Sequence, residues 1–275
     1  MLAEQPKLQA VDIERLREHL GLNDPLPLAY AKWLSSALRL DFGLSYQYER
    51  APLAVMGDRL GATLQLAALA YVLGLLGIPL GILAALRRGQ ITDTVIRVLT
   101  VVGDAAPRWW VALLSIVVLA SLVGWFPNGE GTAAPGDWFS HIIIPALILA
   151  VGPLVAFTRY TRSQVLEVVE QDYVRTAHAK GLSEPAVAIR HILRNALLPV
   201  ITLMGGALPG LISGAPLIEG IFNWPGMGRL YLEAASTRDY PLLLAMITVF
   251  TMATMLGTLC ADILYGFADP RIRYS

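Results

Sequence analysis

Five long runs without a charged side chain alternate with polar segments along this chain. A helix needs about 20 apolar residues to cross a hydrocarbon core of about 30 Å. Because lipid offers the backbone no hydrogen-bond partner, such runs form helices. The pattern predicts an all-α membrane protein, a polytopic helical bundle with five spans. The runs are Leu60–Leu86, Trp109–Gly129, Trp138–Thr158, Asn195–Ile218 and Tyr240–Ala261.

Composition supports the membrane class. Charged residues make up 15% of the 275 residues and hydrophobic residues 55%, whereas a soluble domain carries about 25% charged residues. The formal net charge is zero, so no overall field attracts nucleic acid.

The distribution of basic residues predicts the orientation of the spans, because Lys and Arg are enriched in cytoplasmic loops. The segment 159–195 is rich in Arg and Lys, and the tail, 269–275, carries Arg271 and Arg273. The loop after the second run carries acidic residues and no basic one. We therefore expect the tail and the 159–195 loop in the cytoplasm, and residues 1–59 outside it.

The N-terminal segment 1–59 holds seven basic and eight acidic residues and no run long enough to span. Residues 1–20 also lack the apolar core and cleavage site of a signal peptide. Either this segment is translocated unaided or a helix precedes Met1 in the native protein, and we expect the helix.

The charged loop 159–195 has the pattern of two helices joined by a tight turn. Apolar residues recur at helical spacing on both sides of the turn. Gly181 can end the first helix in a left-handed conformation, and Ser183 can cap the second, with Pro185 in its first turn. Pro199 is expected to bend the chain into the fourth span. The repeating residues are Val165, Val169, Tyr173 and Ala177, then Ile189, Leu193 and Leu197.

The length of this loop bears on its role. A connection between helices usually needs about 2–8 residues. The loop is either a surface hairpin that only joins two spans or a docking element for a second protein. Its length and regular pattern favour docking.

Four segments carry a resemblance to a known family. Glu170–Val200, EQDYVRTAHAKGLSEPAVAIRHILRNALLPV, closely resembles the EAA loop of ABC-importer permeases. Leu20–Tyr46, Ile218–Leu243 and Ala261–Arg273 resemble further segments of the peptide and nickel permease family, of the dipeptide/oligopeptide permease B type. They occur in the family's order and cover most of the chain.

The resemblance implies a type I ABC importer permease domain at 60–268, in the plasma (inner) membrane of a prokaryote. Family members are the first of two homologous permease subunits, which suggests a heterodimer. They work with two cytoplasmic ATPase subunits and an extracytoplasmic solute-binding protein. They have six helices, and the first of these is absent here. The implied cargo is short peptides, with nickel or another small solute as the alternative.

The resemblance also implies that the loop forms a coupling helix seated in a groove of an ATPase subunit. Arg175 is expected at the rim of that contact, where its charge steers docking. ATP is then used by the partner subunits, and this chain is expected to bind no cofactor and to be no enzyme. The implied coupling residues are Glu170, Asp172, Tyr173, Ala177, Lys180, Gly181 and Pro199.

Glycines and prolines interrupt the fourth run, which fits either a span that lines the pathway or close packing by small residues. Met204 and Ser213 are the candidates for lining the pathway. Glu219 and Asp262 fall in the segments that resemble the family, and we expect structural hydrogen bonds from both.

Asp104 and Arg108 lie four residues apart beside Pro107, at the edge of the second run. Their spacing favours a local ion pair, and charges inside a membrane also mark substrate sites. Both alternatives stay open at this point.

Other chemistry finds no support in the motifs. The chain has no G-x-x-x-x-G-K-[ST] loop for nucleotide phosphates and no H-E-x-x-H or G-x-S-x-G motif. Its four histidines lack the spacing of metal ligands. We expect no catalytic residue and no metal site. A secondary transporter is the remaining rival, and it would need no ATPase-docking loop.

Overall fold

The computed structural model describes residues 24–123, 138–197, 199–201, 203–206 and 215–268, and every regular element in these ranges is helical. The fold is all-α, as predicted. Residues 199–201 and 203–206 are also helical. The helices are α1 (Leu26–Leu38), α2 (Pro52–Leu75), α3 (Gly77–Leu86), α4 (Ile91–Ala105), α5 (Arg108–Val123), α6 (Trp138–Val169), α7 (Asp172–Ala179), α8 (Glu184–Val187), a π-helix (Ala188–Leu193), α9 (Arg194–Ala196), α10 (Pro216–Ile221), α11 (Met227–Thr237) and α12 (Tyr240–Ala268).

Three helical stretches in the described part are long and apolar enough to cross a membrane: Pro52–Leu86, His141–Val169 and Tyr240–Cys260. Two bent helix pairs raise the number to five when each is one span. Five spans were predicted. One pair is α4 with the start of α5, bent by 99°, and the other joins 185–196 to 199–206 with a bend of 44° near Pro199.

The first spanning helix begins earlier than the charge-free run. α2 begins at Pro52. Proline suits the first turn of a helix, because the N–H that it lacks would have no acceptor within the helix there. Asp58 and Arg59 end the apolar run without ending the helix. The predicted boundary between residues 59 and 60 therefore falls inside α2.

Small residues let α2 and α3 approach α6 closely. A Cβ atom on Gly77 would lie 2.3 Å from the Leu154 carbonyl oxygen, and one on Gly81 would lie 2.6 Å from the Thr158 carbonyl oxygen. Glycine interfaces of this kind allow helices to pack backbone against backbone. This packing makes α2, α3 and α6 the centre of the fold.

The segment 87–108 contains α4, where the charge pattern predicted a polar loop. α4 runs antiparallel to α6: Asp93 near its start pairs with Arg162, and a Cβ on Gly103 near its end would lie 3.3 Å from Val151 and Val155. The prediction was wrong because the charged residues at both ends of the segment conceal the apolar part of the helix between Arg97 and Asp104.

Two large apolar clusters hold the ends of the bundle together. The first packs α2, α6 and α10, with Leu66, Leu149 and Trp224 buried in it. The second packs the start of α2 against α11 and α12, where Met56 and Met246 are buried. Of the sequence predictions, Ser213, the side chain of Asp262 and the tail 269–275 lie outside the described residues.

Candidate functional site

The charged hairpin begins as a continuation of the third span. α6 runs without interruption to Val169, and the chain then breaks at Glu170 and Gln171 before α7 begins. The predicted first helix is thus two helices. Because of this break, Val165 is buried while Val169 and Tyr173 are exposed, so the predicted common face does not form.

The turn between α7 and α8 has the predicted geometry. Gly181 has a φ of +76°, which only glycine adopts without strain. Its N–H donates to the His178 carbonyl oxygen, and α8 begins at Glu184, directly after Ser183, with Pro185 as its second residue.

One face of α7 packs onto the chain itself. Val174 and Ala177 are buried in a small apolar cluster, which we call the hairpin cluster. The small side chain of Ala177 is 4% exposed and allows α7 to approach α6 and α8 closely. Its part in coupling stays a prediction. The hairpin cluster consists of Ala85, Val165, Val174, Ala177, Val187, Ile192 and Ala196.

The opposite face of α7 is open. Tyr173 is 42% exposed, and Asp172, Arg175, Lys180 and Gly181 are exposed around it. Asp172 and Arg175 pair at 3.5 Å, a distance that adds little stability at the surface. We call this face the docking face. It presents one aromatic side chain surrounded by charged side chains.

The π-helix after α8 changes which residues face inward. Val187 and Ile192, five residues apart, are both buried, and Ala196 follows four residues later. The predicted face of Ile189, Leu193 and Leu197 is therefore wrong, and Ile189 is exposed. The wider turn carries one extra residue, which an expectation of regular α-helical spacing misses.

Ion pairs brace the base of the hairpin. Arg162 donates two hydrogen bonds to Asp93, at 2.8 and 3.0 Å, and the Gly89 N–H donates a third. Glu170 pairs with Arg88 at 2.9 Å on the surface. These contacts tie α4 to the end of α6. The sequence reasoning missed the pair of Asp93 and Arg162, although Asp93 is the one acid between Arg87 and Arg97.

Asp104 and Arg108 do not pair with each other. The chain bends by 99° between α4 and α5, and Pro107 lies in the bend. Asp104 instead accepts a hydrogen bond of 2.8 Å from Arg159. The Arg108 guanidinium lies over Gly152, where a Cβ atom would be 2.3 Å from its Nη2. The prediction of a local pair is wrong because no helix continues across the proline.

Glu219 caps a helix from a distance. Its fully buried carboxyl group accepts hydrogen bonds from the Thr63 hydroxyl at 2.8 Å and from the N–H groups of Gly228 and Arg229 at 2.7 and 3.1 Å. Thr63 in turn accepts from the Met227 N–H at 2.8 Å. The N–H groups that begin α11 would otherwise lack partners. These contacts agree with the structural role expected of Glu219, and sequence reasoning missed Thr63.

Asp239 joins the segment before α2 to the start of α12. It accepts hydrogen bonds from the Ser45 hydroxyl and from the N–H groups of Gln47 and Leu242. Burial alone would raise the pKa of Asp239, but these hydrogen bonds outweigh it and hold the pKa below its usual value. Neither Ser45 nor Asp239 was predicted from the sequence.

Met204 was predicted to line the pathway, and the structure shows a contact of its backbone. The Met204 carbonyl oxygen accepts a hydrogen bond of 3.1 Å from the Tyr71 hydroxyl, which ties the fourth span to the first. Among the described residues, no group of three or more His, Cys, Asp or Glu side chains could hold a metal ion.

Comparison with known families gives the architecture a context. The model for the "Binding-protein-dependent transport system inner membrane component" family matches residues 77–274. The chain belongs to this family. It is a transport permease component and a multi-pass membrane protein, with no enzymatic role implied by the family.

Similar proteins agree along almost the whole chain. The Oligopeptide transport system permease protein AppB of Bacillus subtilis is 42% identical over 281 residues, covering 99% of this chain and 89% of that protein. The Glutathione transport system permease protein GsiC of Escherichia coli is 36% identical over 270 residues, covering 98% and 87%.

Solved structures show the same fold. The MetNI methionine ABC transporter in inward-facing conformations has a chain with a TM-score of 0.62 and 16% identity, covering 79% of this chain and 97% of that one. A chain of an amino acid ABC transporter has a TM-score of 0.60 and 15% identity, covering 78% and 94%.

Proposed function

We propose that this chain is the permease subunit of an ATP-driven importer of short peptides and forms half of its translocation pathway. A second homologous permease subunit forms the other half, and two cytoplasmic ATPase subunits supply the energy. An extracytoplasmic solute-binding protein delivers the peptide. The chain itself binds no cofactor, since ATP is used by its partners.

One observation carries the ATP-driven part of the proposal. α7 is held to the permease by buried Val174 and Ala177, yet it presents exposed Tyr173 and several charges on its other face. A helix only needed as a connection has no reason to keep an aromatic ring exposed within a ring of charges. Such a face suits a protein partner, because aromatic residues supply contact area and surrounding charges steer docking.

The bracing contacts explain how motion at α7 reaches the spans. The hairpin cluster packs α7 against α3, α6 and α8, and the pair of Arg162 with Asp93 extends the link to α4. A push on the docking face therefore moves these helices together. Rigid-body motion of packed helices between two arrangements is a common form of such switching.

The orientation follows from the same assignment. The docking face and the C-terminal tail lie in the cytoplasm, where ATPase subunits are available, and residues 1–59 lie outside. The Arg and Lys residues of 159–195 agree with that side. Asp239 and Ser45 then belong to the outer end of the bundle, which receives the binding protein.

The names of two relatives support peptides as the cargo: AppB is an oligopeptide permease and GsiC a glutathione permease. The test is uptake of a labelled di- or tripeptide by the complete transporter in proteoliposomes. We expect uptake that requires both ATP and the binding protein. Uptake that persists without ATP while an ion gradient is held would refute the ATP-driven role and favour a secondary transporter.

The docking face can be tested in the same assay. Tyr173→Ala should reduce peptide uptake and the amount of ATPase that copurifies with the permease, because the central contact is lost. Tyr46→Ala is the matched control for ATPase copurification, since Tyr46 is 61% exposed but lies at the outer end of the bundle, away from the docking face. Equal behaviour of the two variants would contradict the docking role.

A further inference from the structure

A cavity of about 480 Å³ lies at the break between α4 and α5. Its wall includes Asp104, Gly152, Arg159, Tyr160, Ser163 and Leu203. We call it the break cavity. Its volume falls within the range of about 300–1,000 Å³ that is typical of small-molecule sites. The wall combines the third span, the fourth span and the bend of the second.

Part of this cavity borders the membrane-spanning part of α6. Gly103, directly before Asp104, would place a Cβ 3.3 Å from Val151 and Val155, and Arg108 lies over Gly152. These three α6 residues all belong to the charge-free run Trp138–Thr158. Charged side chains at such depth cost free energy and face a water-filled cavity or the inside of a bundle. The cavity explains how the chain tolerates them.

The charges of the break cavity are accessible, unlike those of the bracing pair. Asp93 and Arg162, which join the same two helices, have side chains only 2% and 22% exposed. The side chains of Asp104 and Arg159 are 62% and 58% exposed. A pair that served only to hold α4 against α6 would duplicate the buried one, and an exposed pair adds little stability.

Arg108 is the first residue of α5 and adds a second positive charge near the break cavity, after that of Arg159. Within the described part of the chain, no hydrogen bond or ion pair engages its guanidinium group. A guanidinium group binds a carboxylate with two parallel hydrogen bonds. The break cavity thus presents one exposed carboxylate with one arginine beside it. A second arginine, without a described partner, lies over Gly152 in its wall.

We propose that the break cavity is a transient binding site for the charged termini of a zwitterionic peptide during its passage. Asp104 accepts hydrogen bonds from the peptide ammonium group, and Arg108 binds the peptide carboxylate. Arg159 balances Asp104 while the cavity is empty. This site deepens the proposed function and rests on it: an uncharged solute would gain nothing from this arrangement.

The test uses the complete transporter in proteoliposomes with its binding protein and a zwitterionic dipeptide. Asp104→Asn keeps side-chain size, Arg108→Gln keeps a shorter polar side chain, and each removes one charge. We expect each to lower peptide uptake per ATP hydrolysed about tenfold, as for loss of one charge-assisted hydrogen bond. ATP hydrolysis stimulated by the loaded binding protein should stay close to wild type, because the coupling hairpin is unchanged.

A matched control separates the site from the general effect of removing an ion pair. Asp58 pairs with Arg50 at 2.9 Å, with side chains 60% and 55% exposed, much like Asp104 and Arg159. Asp58→Asn should leave uptake per ATP at the wild-type value. Equal losses in Asp58→Asn and Asp104→Asn would overturn the proposal.

A charge exchange tests the structural alternative. The double variant D104R/R159D restores an ion pair between the helices but moves the carboxylate from the break to α6 and puts a second positive charge beside Arg108. We expect uptake to remain low. Full recovery would mean that the pair only braces the helices, and the proposal would be wrong. Failure of the wild-type transporter to import any peptide would instead refute the proposed function.

Discussion

The cap of α11 by Glu219 offers a sharp test of the fold. Replacing Glu219 with alanine removes the acceptor of the Gly228 and Arg229 N–H groups and of the Thr63 hydroxyl. The hydroxyl can turn elsewhere, but the Gly228 N–H stays buried and the Arg229 N–H stays partly buried. A buried donor without an acceptor costs about 1–3 kcal/mol. We therefore expect Glu219→Ala to lower the free energy of unfolding by about 4 kcal/mol.

This loss is large beside the marginal stability of proteins, about 5–15 kcal/mol. In a chain of this size, 1 kcal/mol lowers the melting temperature by about 2–4 °C, so we expect a decrease of roughly 8–16 °C. The measurement is thermal unfolding of the permease in nanodiscs, followed by tryptophan fluorescence. Buried Trp224 reports on this region, because its indole N–H donates to the Ala62 carbonyl oxygen.

The control is the same substitution at Glu170, whose side chain is 66% exposed. Its surface pair with Arg88 contributes at most about 1 kcal/mol, so Glu170→Ala should leave the melting temperature nearly unchanged. If Glu219→Ala melts within a few degrees of Glu170→Ala, the capping explanation is refuted, since the N–H groups must then find other partners.

Three further predictions concern the turn, the helix interface and the outer end. Gly181→Val should uncouple ATP hydrolysis from peptide uptake in proteoliposomes, because a β-branched residue at a φ of +76° distorts the turn; unchanged uptake per ATP would count against it. Gly81→Val should lower the melting temperature more than Gly89→Val, because a Cβ on Gly81 would lie 2.6 Å from the Thr158 carbonyl oxygen whereas Gly89 has open space around it. This order is expected even though valine is strained at the φ of +78° of Gly89. Equal decreases in melting temperature would argue against the close packing. Because the pKa of Asp239 is lowered in the folded chain, its stabilisation is fully present above the usual aspartate pKa of 3.8 and is lost as the pH falls through the folded pKa. Asp239→Asn should therefore flatten the acid part of the melting profile, and an unchanged profile would contradict this origin.

Charge-free length was the reliable signal in the sequence, because a bilayer imposes one requirement on every span. The all-α class, the third and fifth spans and the turn at Gly181 follow from local rules that need no neighbours. The family resemblance rested on matched residues and was confirmed by the family model over residues 77–274.

Helix boundaries and helix faces were less predictable. α4 was not predicted because charged residues at both ends of the segment 87–108 leave only a short apolar stretch between them. The inward face of the hairpin changed at the break before α7 and at the π-helix, since one altered turn rotates every later side chain. No local pattern announces either change.

Pairings between distant residues were beyond the sequence. Asp104 could be assigned to Arg108 by spacing alone, but the bend at Pro107 gave it Arg159 instead. Thr63 met Glu219, and Ser45 met Asp239, across more than 150 residues of chain. The sequence determined that this protein crosses a membrane and presents a charged hairpin. Only the tertiary structure decided which charges meet, because ion pairs form between side chains that helix packing brings within about 4 Å.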